Sequence, residues 1–214
     1  MAVSEGIMAG PAPGQIEHYV QMFKRLSDLS EYFSIEENLS WTVVRPHKAQ
    51  LTVEEVVRRL HGEPDAITTD RPADCVSNLE YDDLADTVFL EQRGDAVIIV
   101  GFGTDTAEEE TLRRLSQNAT VHTVFWAINN FNRLSYIVDG AVVTELDTLC
   151  PLDRWGTDPE ALADHLDALL DLHERSDPGP DWETAMATLE SLTGQRLDAD
   201  WFTRPQLLAK VNRR

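Results

Sequence analysis

The sequence predicts an α+β fold: a mainly antiparallel sheet of five or six strands, helices packed on one face, and a helical C-terminal subdomain. Three observations carry that expectation. Apolar runs joined by tight turns mark two β-hairpins, stretches with apolar residues every three or four positions mark amphipathic helices, and the chain after Pro151 turns wholly helical in pattern. At 214 residues, 42% of them hydrophobic, the chain can bury a core without metals or disulfides. One domain over residues 15–214 is expected, sheet-rich over 39–150 and helical over 158–212. The Gly- and Pro-containing segment 1–14 reads as a flexible tail.

Gln15 to Leu29 places Ile16, Tyr19, Val20, Phe23, Leu26 and Leu29 on one helical face. Leu39 to Val44 reads as a strand ended by Pro46, which cannot continue a ladder. Thr52 and Glu55 then stand in capping-box spacing before Val53, Val56, Val57 and Leu60, a helix stopped by Gly62. Between Glu63 and Leu84 the pattern is less legible: Ala66–Thr68 fits a short strand, and Cys75–Leu84 a poor helix or a loop. Val88–Leu90 and Val97–Val100, linked through Arg93, Gly94 and Asp95, form the first hairpin.

A helix from Thr106 to Ser116 follows, with Thr106 and Glu109 repeating the capping spacing. The runs LTVEEVVRRL (51–60) and TAEEETLRRL (106–115) each follow an apolar strand, so a duplicated unit is one explanation and convergence of capped helices the other. Dipole matching accounts for Glu at their N-terminal ends and for Arg58, Arg59, Arg113 and Arg114 at their C-terminal ends. Thr120–Ile128, Leu134–Val138 and Ala141–Leu146 make a meander whose last turn is Asp139–Gly140. Helices are expected from about Asp158, with Pro159 at the first helical position, over Trp182–Leu192 before Gly194, and over Arg204–Val211. Asp177–Pro180 breaks the first two apart.

The formal net charge of -20 opposes contact with nucleic-acid phosphates and leaves solubility, or attraction to a basic protein partner, as its role. The longest apolar runs, such as Ala96–Phe102, are far shorter than a membrane span requires. Cys75 and Cys150 stand far apart without metal-ligand spacing, as expected of a reducing cytoplasmic compartment. No metal or cofactor is expected, and the oligomeric state is left open.

Chemistry-bearing motifs are sparse. Gly101-Phe102-Gly103 has the place of a phosphate loop, but no Lys follows and the helix after it opens on acids, so a strand-end turn is the better reading. His165 and His173 are too far apart on one helix to share a metal, and His122 reads as a core residue before it reads as a catalyst. The most informative stretch is Ile137–Pro159. Glu145 and Asp147 near a strand end could hold a divalent cation or act as an acid and base pair, with Arg154 fixing an anionic group and Trp155 stacking on a ligand. The preferred reading is structural: Arg154 pairs locally with an acid, Trp155 plugs the seam between sheet and helical tail, and Asp158 caps the next helix. Downstream, Glu160, Asp164, Asp167, Asp171 and Glu174 form an acid stripe beside Leu162, Leu166, Leu169 and Leu170.

The block VDGAVVTELD, then Pro151, then RWGTDP, flanked by LRRLSQNATVHTVFWAINNFNRLSYIVDG upstream and LESLTGQRL downstream, resembles an actinobacterial, streptomycete-type protein family of unknown function over about Leu39–Phe202. Its most distinctive positions here are Asp139, Gly140, Glu145, Asp147, Arg154, Trp155 and Gly156. The resemblance implies a similar α+β fold and a cytoplasmic bacterial origin, and brings no activity. Two functions stay in competition. The preferred one is a non-catalytic interaction or regulatory module of the immunity or antagonist kind, whose acid stripe meets a basic partner. The alternative is a small-molecule-binding protein or enzyme centred on Glu145, Asp147, Arg154 and Trp155.

Overall fold

A computed structural model describes residues 10–28, 35–48, 50–103, 105–129, 131–175 and 179–211. Of the predicted tail, residues 1–9 lie outside these, and Pro13 already opens the first helix. Helix α1 (Pro13–Ser27) buries Tyr19, Met22, Phe23 and Leu26. Strand β1 (Asn38–Pro46) and helix α2 (Val53–Arg59) follow, and the Thr52 side chain accepts the Glu55 N–H at 3.3 Å. Next come β2 (Thr68–Asp70), the short helices α3 (Pro72–Asn78) and α4 (Tyr81–Ala85), and the hairpin β3 (Thr87–Arg93) and β4 (Ala96–Gly101). Helix α5 (Glu109–Leu115) leads into β5 (Ala119–Ala127), β6 (Phe131–Val138), β7 (Ala141–Asp147) and β8 (Cys150–Trp155). The chain ends with α6 (Asp167–Glu174), α7 (Asp181–Thr193), α8 (Ala199–Thr203) and β9 (Gln206–Lys210).

The class is α+β as expected, but the sheet is larger than five or six strands. Among the described residues nine strands run in the order β2-β9-β3-β4-β1-β5-β6-β7-β8, every neighbouring pair antiparallel. Three strands account for the difference. β2 is a fully exposed Thr-Thr-Asp edge, β8 carries Pro151 in a stretch expected to be loop, and β9 occupies Gln206–Lys210, where Arg204–Val211 was expected to be helical. Because β9 inserts between β2 and β3, the C-terminal segment is part of the sheet and not a wholly helical subdomain.

Helices cover both faces of the sheet, not one. On one side Leu39, Trp41, Val43, Ile98, Val124 and Trp126 pack with α1, α7 and α8. On the other, Val44, Val97, Ile99 and Val121 pack with α2 and α5. Val97 to Val100 are all buried because successive side chains enter opposite cores, the pattern of a strand covered twice.

Two predicted helix starts also shift. Pro159–Leu162 form turns ahead of a 3-10 turn at Ala163–His165, so α6 begins at Asp167. Thr106 does not cap α5. It is buried in a 3-10 turn with its hydroxyl against that of Ser40.

The two RRL runs meet in space. Arg59 donates from Nη1 to Leu115 O and Gln117 O, both at 2.8 Å, while Arg114 Nε donates to Arg59 O at 3.1 Å. Each helix thus supplies an arginine to carbonyls at the C-terminal end of the other. Beside the C-terminal end of α5, where Ser116 accepts the Gly140 N–H at 2.9 Å, Asp139 (φ 50°) and Gly140 (φ 82°) form the β6–β7 turn, where left-handed backbone matches the strand twist.

Candidate functional site

The register of the sheet places Ile99, Thr42, Thr123, Ser135, Glu145 and Trp155 in one row from β4 to β8. Thr42 and Thr123 share a hydroxyl hydrogen bond of 2.7 Å inside the row. Further out stands Glu145, a carboxylate only 3% exposed. Ser135 donates to its Oε2 at 2.7 Å, the Trp155 indole N–H to its Oε1 at 3.1 Å, and Arg133 Nη1 lies 3.4 Å from Oε1. A carboxylate taken from water needs such donors, and here three side chains supply them.

The consequence lies at the surface. Trp155 remains 45% exposed with its N–H anchored, and Phe131 is 46% exposed. The Arg133 guanidinium sits 4.5 Å over the Phe131 ring, held from behind by Glu145. Gly156 makes the exit from β8 possible: at φ 129° it passes so close to β7 that a Cβ would fall 2.2 Å from Val143 O. The next amides, of Thr157 and Asp158, then bond to Val142 O and Val143 O at 3.0 and 2.9 Å. Between this bend and α5 lies a hollow of about 310 Å3 lined by Trp155, Ala141, Val142, Gly156, Thr157, Glu109 and Arg113.

The four residues singled out from the sequence therefore divide. Glu145 and Trp155 come together. Asp147 instead accepts the Leu149 N–H at 2.8 Å and closes the β7–β8 turn. Arg154, opposite Leu146 on the other face, donates to Pro151 O at 2.8 Å and to Glu160 Oε2 at 2.7 Å. Asp158 holds the Glu160 N–H at 3.3 Å, in a turn and not at a helix start. Arg133, Ser135 and Phe131 were missed. A bulge between Tyr136 and Ile137 shifts the β6–β7 register by one residue and sets Glu145 opposite Ser135, which strand alternation alone does not reveal.

The acid stripe lies on and just before α6, which meets the β7–β8 turn through a 2.8 Å contact of His173 Nδ1 with Leu149 O. Asp164, Asp167, Asp171 and Glu174 are exposed, and none has an ion pair among the described residues, whereas Glu160 is held by Arg154. Pro151 and the side chains on the Leu149 and Pro151 carbonyls blunt β8 as an edge for further strand pairing.

Other groups with chemical potential are accounted for locally. His122 stacks on Tyr136 with ring centroids 4.6 Å apart, and burial, with Arg45 and His165 nearby, lowers its pKa to about 4. The Cys75 thiol, against Asp70 at 3.2 Å, is pushed up to about 12 by burial and by that carboxylate, so it is not a ready nucleophile. Cys150 is exposed and unpaired. A second hollow, of about 500 Å3, is lined by His47, Lys48, Arg59, Glu55 and Asp139, where positive and negative groups balance. Among the described residues no group of three or more His, Cys, Asp and Glu side chains could hold a metal ion, and no helix is long and apolar enough to cross a membrane.

No curated protein and no solved structure matches the chain. A family model described as "Family of unknown function (DUF6461)" matches residues 29–211, and the chain belongs to that family.

Proposed function

We propose that the protein is a non-catalytic interaction module, of the regulatory, immunity or antagonist kind, that binds a basic protein in the actinobacterial cytoplasm. The observation that carries this reading is the exposed pair Trp155 and Phe131, with the part-buried Arg133 over the Phe131 ring and the buried Glu145 holding both the indole and the guanidinium. Exposed large aromatics and arginine are the residue types that dominate binding energy at protein interfaces, and rigid ones lose little entropy on binding. The net charge of -20 and the unpaired acids on α6 favour a basic partner and fast, salt-sensitive association.

Affinity capture from an extract of the source organism tests it, using the wild-type chain, Trp155→Ala, and a triple variant carrying Asp164→Asn, Asp167→Asn and Asp171→Asn. One basic protein should be retained by the wild type, lost with Trp155→Ala, and held more weakly both by the triple variant and at raised salt. Retention unchanged in both variants removes the reading.

The hollow beside Trp155 favours a second reading, a small-molecule site. In that case the arginine facing the ligand is Arg113 and not Arg154, and Glu145, with donors on both oxygens, positions Trp155 and is not a free base.

A further inference from the structure

We infer that the hollow between Trp155 and α5 is the subsite for one basic side chain, an arginine or lysine, of the partner protein; this rests on the interaction reading above. Three features of the lining converge on that chemistry. Ala141 and Val142 give an apolar floor for a methylene stem, the Trp155 indole forms a wall where a cation is attracted by the ring, and Glu109 stands opposite.

The charges at the rim decide the sign of the guest. Glu109 accepts Arg113 Nε and Nη2 through Oε1, at 2.8 and 2.6 Å, which leaves Oε2 without a hydrogen bond among the described residues. Exposed Glu108 has no ion pair there, and Glu110 pairs with Arg114. The one cation in the lining, Arg113, is already engaged by Glu109 and by Gly140 O. An anionic guest would meet the Glu109 carboxylate and an occupied guanidinium. A cationic guest meets a carboxylate oxygen and an aromatic wall. The volume of about 310 Å3 lies at the low end for ligand sites, which suits a single side chain.

The test is an NMR titration of the 15N-labelled chain with Nα-acetyl-arginine methylamide, with the leucine and glutamate equivalents as controls. The arginine compound should shift the Trp155 indole N–H and the amides of Val142, Gly156 and Thr157, and the controls should not. Glu109→Gln and Trp155→Ala should each weaken the response by about two- to five-fold. Shifts confined to α6, equal shifts with the leucine compound, or no shift in the hollow would each overturn the inference. If the hollow fails this titration while Trp155→Ala still loses the captured partner, the subsite alone is wrong; capture untouched by Trp155→Ala removes the interaction reading itself.

Discussion

Among the described residues two tryptophans are tied to glutamates, and the ties are inverted. On β3, Glu91 accepts the Trp201 indole N–H at 2.9 Å and the Arg204 guanidinium at 3.3 Å; on β7, Glu145 accepts the Trp155 indole N–H at 3.1 Å, with Arg133 at 3.4 Å. The bonding is the same in kind, but the exposure is not. Trp201 is fully buried, and its carboxylate is the partly exposed member, with 25% of the Glu91 side chain accessible. At the other site the carboxylate is buried and the indole is 45% exposed. The first arrangement satisfies the one polar atom of a core side chain. The second spends a buried charge to hold an aromatic ring in water, which folding alone does not require, and that asymmetry points to a use for the ring.

The comparison can be broken by substitution. Trp201→Ala should have the largest effect, a loss of about 3–5 kcal/mol in urea unfolding, because it opens a cavity in the core. Glu145→Ala should cost about 2–3 kcal/mol by leaving Ser135, the indole N–H and Arg133 without their acceptor, and Glu145→Gln less, since an amide oxygen can still accept.

Acid sensitivity ranks with these. His122 has its pKa lowered from 6.5 to about 4 by burial, by Arg45 and by His165, so between those values the unfolded chain binds more protons than the folded one. Stability from this group is complete above pH 6.5 and is lost as pH falls towards 4, by about 2–3 kcal/mol. Asp181 and Glu183, raised by burial, act in the opposite direction, so a His122→Gln variant should flatten or reverse the slope seen in unfolding across that window. Smallest in stability is Trp155→Ala, within about 1 kcal/mol of wild type, since the ring is half in water.

Much of the architecture is legible in the sequence where local rules dominate. The hairpin at Asp139–Gly140, the Thr52 cap and the Gly194 stop all follow from turn and cap chemistry, and each forms as its residues suggest. What escapes is set by long-range context. Gln206–Lys210 reads as a helix from its leucines, yet pairing on both sides, with β2 and β3, holds it as a strand. Cys150–Trp155 has Pro151 and few β-formers, so it reads as a loop until β7 provides a ladder. The continuous apolar run Val97–Val100 did carry the signal for two covered faces. At the candidate site, Glu145 and Trp155 are visible from sequence, but Arg133 and Ser135 depend on a one-residue bulge, and Arg154 points away because the strand alternates.

The most direct measurement places stability and binding side by side in Trp155→Ala. Its melting temperature should stay within about 4 °C of wild type while the basic partner is no longer retained. A fall of more than about 10 °C, or a partner held as tightly as before, would mean that the exposed indole serves the fold and not an interface.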